Sequence, residues 1–570
     1  MAPKKPKLVI IGLDAAVERL LLPWIKEGKL PNLASFIKQG IQGPLESVIQ
    51  PLTPPAWTAF MTGKNSGKHG IYNFIQYAPD RYSMVHTNGG SRKSDSIWRI
   101  LNRAGLTVGV MNTPYTYPPE KVDGFQVSGF DTPSADSAFI HPPELKKELE
   151  EKIGRLRLDV RYLGAMTNLK KRGEALEELQ KSDEQWKRMA LYLLENHPQD
   201  VMMFTFMSVD TVQHHFWHYM DPNHHGYDAE GAKLFKDAIL QVYQRLDGVI
   251  GEILAKLDPS ETRVIICSDH GQEGISDRTI YVNRILSQAG LLFYKPKNPF
   301  KQIFNAIARP VLAFLRATLS SKIKQIISGM FHQVRANADD ITTSFNEIDW
   351  SRTKAYCNES LASPPCISIN VKGLKPEGIV DPSDYEAVVK QVCEAVQSVK
   401  DPRTGKTVVA HLHRRDQLYT GPYASHAPDL TPQWWGESQF NAKPSVRSED
   451  HLPPITIEPR VPLTKPEWGG HHTIDGILAV RGAGIKQGAF CKGARLIDMA
   501  PTILYMLDLP VPDDMDGKVL TDLFEDSSRK DVQSVGTNEA AKSPEPADQP
   551  YSEEEQALVE ERLKNLGYLE

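Results

Sequence analysis

Residues 7–13 read KLVIIGL, an unbroken apolar run that ends at Asp14. A strand that is apolar at every position is covered on both faces, which is the environment of a parallel sheet. Parallel strands need long crossover connections, usually helices. The chain supplies both parts. Residues 106–112, 201–206 and 263–268 are further short apolar or β-branched runs, and helical patterns occupy 183–196 and 232–257. This alternation predicts an α/β fold in three layers, with a mostly parallel central sheet between two layers of helices. At 570 residues the chain exceeds one ordinary compact domain, so one large core with insertions, or two domains, is expected.

The pattern breaks in the middle. Residues 294–338 hold eight basic residues (Lys295, Lys297, Lys301, Arg309, Arg316, Lys322, Lys324, Arg335) and no acidic one, with apolar residues at helical spacing. We read 294–346 as a basic helical insertion between a first catalytic part, 1–293, and a second, 347–525. Such a segment packs on the main domain, caps the site to attract an anionic substrate, or lies peripherally on an anionic membrane. Strand-like runs at 366–372 and 407–413 flank a helical pattern at 383–399 and predict a small α+β subregion, after which GILAVR at 476–481 returns to the main sheet. Residues 526–552 have the composition of a disordered linker, and 553–570 read as a C-terminal helix with Leu558, Leu563 and Leu566.

Charge and cysteines narrow the function class. A net charge of -5 argues against a nucleic-acid polymer as partner. Five cysteines without CxxC spacing give neither a zinc knuckle nor a disulfide framework, so reduced thiols in a cytoplasmic protein are expected. The run at 7–13 is too short for a signal peptide, and no stretch of about 18 uncharged apolar residues predicts a transmembrane helix.

Five local patterns carry chemistry. Asp14 follows a buried strand, and ligands in open α/β folds gather at strand carboxyl ends. Thr53 precedes Pro54-Pro55 and caps the expected helix at 54–62, where the positive helix end favours an alkoxide and an incoming phosphate. Asp210 and His214 stand four apart, on one face if helical, and can share a metal ion. Asp269 and His270 follow the 263–268 strand and precede Gly271. His471 and His472 lie in a Gly-Gly-His-His loop before a strand. Each alone has a plain reading as a cap, a turn or a polar face; their joint occurrence points to a metal centre. Mixed oxygen and nitrogen ligands suit zinc, with manganese or iron as alternatives.

In this order the motifs resemble the alkaline phosphatase superfamily, in its type I phosphodiesterase/nucleotide pyrophosphatase branch. The resemblance implies an alkaline-phosphatase-like fold and a metal-dependent hydrolase of phosphodiester or pyrophosphate bonds in a small phosphate ester. It implies Thr53 as nucleophile, passing through a phosphothreonine. One divalent ion would be held by Asp14, Asp269, His270 and Thr53, the other by Asp210, His214 and the late histidine, taken as His472 with His471 second. A phosphomonoesterase, or a phosphotransferase using an alcohol acceptor, is the alternative. Sulfatases fit less well, since no C/S-x-P-x-R motif surrounds Thr53, and cofactor-independent phosphoglycerate mutases use a serine nucleophile. One departure stands out: phosphodiesterase members carry an Asn three residues after the nucleophile, and this chain has Ala56. The non-bridging phosphate oxygen then falls to backbone N–H groups, to Asn112 or to Lys64.

Overall fold

The computed structural model describes residues 4–77, 84–158, 166, 168–296, 347–359, 365–433, 440–463, 468–526, 531–536 and 551–566. Along the chain come β1 (Leu8–Leu13), β2 (Ile41–Glu46) and α1 (Thr53–Thr62), then β3 (Val108–Met111), β4 (Gly124–Val127) and β5 (Ile140–His141). A long helix, α2 (Leu169–Asn196), leads to β6 (Val201–Phe206), α3 (Ser208–Met220), α4 (Ala238–Leu254), β7 (Arg263–Cys267) and β8 (Gly271–Gly274). A smaller unit follows with β9 (Ala355–Cys357), β10 (Ile367–Ile369), α5 (Tyr385–Ser398), β11 (His411–Arg414) and β12 (Leu430–Gln433). The chain returns through β13 (Gly470–Thr473) and β14 (Asp475–Arg481) and closes with α6 (Glu553–Leu566).

The central sheet has ten strands, in the order Ala489–Phe490, β2, β14, β7, β1, β6, β3, β4, β5, with Ala494–Arg495 also on β2. β1 pairs in parallel with both β6 and β7, and β3 with β4 and β6; β14 runs antiparallel to β2 and β7. All six residues of β1 and of β6 are buried, as continuous apolar runs require. Helices α2, α3 and α4 pack together as one outer layer, and α1 packs with Ile97–Arg103 and Met499–Met506 in the other. The α/β architecture with a mainly parallel sheet is therefore the one expected. β2 was not legible: its IQGPLE buries only alternate residues and contains Gly43 and Pro44, which read as a turn.

Register positions the site. Leu13 stands opposite Phe206, and Gly12 opposite Cys267, so β1, β6 and β7 end level with one another. The residues just beyond those ends are Asp14, the start of α3, and Ser268-Asp269-His270.

The smaller unit has its own core, with Ile285, Leu292, Ile369, Val392 and Leu430 among its buried residues, beneath the antiparallel sheet β9-β10-β12-β11. Of the basic insertion, residues 297–346 lie outside the described residues, and with them the cap and membrane readings. Within 526–552, Ser534–Val535 pairs in parallel with Val511–Pro512, and Tyr551 is buried. No helix among the described residues is long and apolar enough to cross a membrane.

Candidate metal centre

Two groups of ligand-type side chains stand at the carboxyl end of the sheet. Asp14, Asp269 and His270 form one, and Asp210, His214 and His472 the other; within each, the ligand atoms all lie within 4.8 Å of one another. The rings of His270 and His472 stack with centroids 3.8 Å apart, so the groups adjoin.

The first group is built from strand ends. Asp14 leaves β1 with its N–H donated to Phe206 O (3.0 Å), and its Oδ2 accepts from Trp57 Nε1 (2.9 Å). Trp57 reaches it because β1 has a glycine there: a Cβ on Gly12 would lie 2.9 Å from the indole. His270 Nε2 is 3.3 Å from Asp269 Oδ2 and 3.8 Å from Asp14 Oδ1. All three residues are fully buried.

The second group joins a helix to a distant hairpin. Asp210 and His214 are one turn apart on α3, with Asp210 Oδ1 3.1 Å from His214 Nε2. β13 pairs antiparallel with β8, placing His472 opposite Gln272 and His471 opposite Glu273. Strand side chains alternate between faces, so the two histidines part company. His472 Nε2 lies 3.2 Å from Asp210 Oδ1 and 2.9 Å from His214 Nε2, whereas His471 faces Glu273 at 3.6 Å.

The imidazoles are oriented alike. Nδ1 of His214 sits 2.8 Å from Gly470 O, Nδ1 of His472 2.8 Å from Pro51 O, and Nδ1 of His270 3.1 Å from Gly271 O. With each Nδ1 facing a carbonyl, each Nε2 is turned into the cluster.

Charge tells the same story. Burial, and then the charges of Asp269 and Asp210, push the Asp14 carboxyl well above the usual range; burial and Asp210 do the same to Asp269. Burial opposes ionisation of Asp210 too, yet His214 and His472 beside it pull it well below the usual range. Burial holds His270 and His472 below the ordinary histidine value, with a neighbouring imidazole adding to it. Burying an unpaired carboxylate costs on the order of several kcal/mol, and three share this space. Asp14 Oδ1, Asp269 Oδ2 and His270 Nε2 have no hydrogen-bond partner. The donor set fits divalent cations.

Thr53 is bracketed by this cluster. His472 holds Pro51 two residues before it, and Asp14 holds Trp57 one helical turn after it. The capping expectation is corrected: Leu52 occupies the N-cap position, Thr53 is the first helical residue, and its fully buried Oγ1 has no hydrogen-bond partner. The phosphate-oxygen expectations also narrow. Pro54 and Pro55 have no N–H, and Ala56 N–H donates to Leu52 O (3.0 Å), so in this turn only Thr53 keeps an N–H unused within the helix. Asn112 stands at the end of β3 and donates from Nδ2 to Thr205 O (3.0 Å). Lys64 lies past the other end of α1, a ten-residue helix and so ~15 Å long, and ion-pairs with Asp514. The structure does not bring it to Thr53. Sequence reasoning missed Trp57, and also Trp468, whose ring lies 3.9 Å from that of His214. Spacing gives no signal for either.

Two adjoining groups of acidic and imidazole ligands at sheet carboxyl ends, with a buried hydroxyl at a helix start, make this an α/β protein with a candidate metal centre. The chain belongs to the Type I phosphodiesterase / nucleotide pyrophosphatase family, whose model matches residues 8–461; its members are hydrolases. His472 lies beyond that span, so its place rests on geometry. Among solved structures the chain is similar to murine ectonucleotide pyrophosphatase / phosphodiesterase 5 at 11% identity and a TM-score of 0.47, covering 92% of this chain and 100% of that one. It is similar to phosphonoacetate hydrolase from Sinorhizobium meliloti 1021 at 13% identity and a TM-score of 0.49, covering 89% and 96%. No curated protein matches the chain.

Proposed function

We propose that the chain hydrolyses phosphodiester or pyrophosphate bonds in a small phosphate ester, through a phosphothreonine at Thr53. Asp14, Asp269, His270 and Thr53 would hold one divalent cation, and Asp210, His214 and His472 a second, with zinc best matched to the donors. Bound there, the cations supply positive charge that lowers the hydroxyl pKa and offsets the charge of the phosphate. The observation that carries this reading is the pair of adjoining groups of buried carboxylates and imidazoles, with the unpartnered Thr53 hydroxyl on the turn that His472 and Asp14 bracket.

The residues of the chain then act as follows. Trp57 fixes Asp14, and the carbonyls of Gly470, Pro51 and Gly271 fix the imidazole tautomers. Thr53 Oγ attacks phosphorus in line, its proton passing to solvent, and the bond to the leaving oxygen breaks with its electron pair on the departing alkoxide or phosphate. Water then attacks that phosphothreonine, which still carries the substrate's other ester or phosphate group, releasing the monoester and restoring the hydroxyl. The N-terminal end of α1 faces the incoming anion with the positive end of its dipole.

Zinc-reconstituted protein assayed on bis-p-nitrophenyl phosphate and p-nitrophenyl phosphate side by side is expected to prefer the diester. Acid quenching during turnover should leave a phosphoryl adduct on the peptide containing Thr53. Preference for the monoester, or capture of the phosphoryl group by added alcohol, would favour a phosphomonoesterase or phosphotransferase. No turnover of either substrate would overturn the proposal.

A further inference from the structure

Gln213 precedes His214 on α3 and is fully buried. Its side chain reaches toward the other ligand group. Nε2 donates to Ala15 O (2.9 Å) and to Gln272 Oε1 (3.2 Å), while Oε1 accepts from Tyr243 OH (3.4 Å). Ala15 adjoins Asp14, and Gln272 is two residues past His270. Ala15 has a φ of 59°, left-handed backbone that a residue with a Cβ adopts only when its surroundings impose it. The surroundings here are specific. Ala15 N donates to Asp269 Oδ1 (3.4 Å), Ser268 Oγ to Ala16 O (2.9 Å), and Val17 N to Tyr243 OH (3.1 Å). Gln213 is the contact in this set that comes from α3, the helix carrying Asp210 and His214.

We infer that Gln213 is a positioning residue that couples the two metal groups: by holding Ala15 in its left-handed turn it aims Asp14 at Asp269 and His270, and ties that group to the helix of the other. The inference rests on the metal-centre reading above. Its consequence is reciprocal: whatever orders α3 favours binding at Asp14, and the reverse.

The test is zinc titration by calorimetry of the full chain stripped of metal. In a His472→Ala background, which keeps the Asp14, Asp269 and His270 side chains, Gln213→Met keeps side-chain length but removes the hydrogen bonds. Zinc affinity at that group is expected to fall about tenfold, the scale of a lost supporting contact. Adding Ala15→Gly, which adopts positive φ freely, should recover most of the loss. A residue that only fills space would lower Tm without that recovery. Should Gln213→Met fail to fold, Gln213→Asn decides, since it keeps an amide but falls one methylene short of Ala15 O. A titration by the folded variant that superimposes on its parent overturns the inference. Wild-type chain that binds no zinc overturns the metal reading instead.

Discussion

The two candidate metal groups are built in opposite ways. Asp14, Asp269 and His270 follow directly on β1 and β7, neighbours in the sheet, and their positions follow from the register of that pairing. Asp210 and His214 ride one helix face, and their third member arrives from β13, 258 residues after His214. Their charge differs as well. The first group's carboxyls are held above their usual range, by burial first, while the histidines around Asp210 hold it below. The strand-end group is preorganised by the fold but strained by its own charge; the helix–hairpin group is relaxed in charge but depends on long-range assembly.

The largest effect should fall on what the groups share. Thr53→Ala is expected to lower kcat by about a thousandfold or more, the scale of losing a nucleophile, while metal content stays near that of wild type. Turnover at a tenth of the wild-type rate would remove Thr53 from the chemistry. Next in size is the dependence of the second group on its hairpin. His472→Ala should lose at least about tenfold in kcat/KM together with one equivalent of bound metal, whereas His471→Ala, facing Glu273, should lose far less. The reverse ranking would mean that the β8–β13 register is off by one residue.

A smaller effect, on stability, tests the charge contrast in protein kept metal-free with EDTA. Asp269 has a raised folded-state pKa, so the fold resists its ionisation. That penalty is absent below about pH 3.8, where the unfolded chain is protonated too, and grows as pH rises toward the folded value. Asp269→Asn keeps the acceptor for Ala15 N and removes the charge. Its Tm should match wild type near pH 4 and exceed it by about 1–3 °C at pH 7. Asp210 has the opposite sign: its depressed pKa gives stability that is present above about pH 3.8 and lost as pH falls through the folded value. Asp210→Asn should therefore lower Tm at pH 5, and by less at pH 7, where His472 beside it is neutral. Equal shifts in both variants would erase the distinction between the groups.

The same contrast explains what could be read from sequence. Asp14 and Asp269 were legible because an apolar run announces a strand and the next residue inherits its carboxyl end. Asp210 and His214 were legible because helical spacing alone places them on one face. Choosing between His471 and His472 needed the pairing of β13 with β8, because alternation assigns faces only once a partner is known. Trp57 was hidden because its link to Asp14 depends on the clearance over Gly12, a packing fact. β2 was hidden by Gly43 and Pro44, tolerated because only one of its faces is buried. Thr53 reads from the sequence as the nucleophile and also as the cap of this helix end, and only the cap is corrected. Consecutive prolines pushed the cap back to Leu52 and left the hydroxyl unused.

The smallest predicted effect concerns Lys64, which charge alone had suggested for holding a phosphate oxygen. It follows Gly63, whose φ of 65° ends α1, and its ammonium pairs with Asp514. At ~15 Å a unit charge contributes about 0.3 kcal/mol through a water-like medium and about 1 kcal/mol at an effective dielectric of ~20. Asp514 cancels most of even that. Lys64→Ala is thus expected to change kcat/KM by less than about threefold and to leave metal content unchanged, with any loss appearing as a lower Tm. A tenfold fall in kcat/KM at unaltered Tm would place the ammonium at the phosphate after all. α1 would then have to contribute both its ends to one site, which a straight ten-residue helix anchored at Trp57 cannot do.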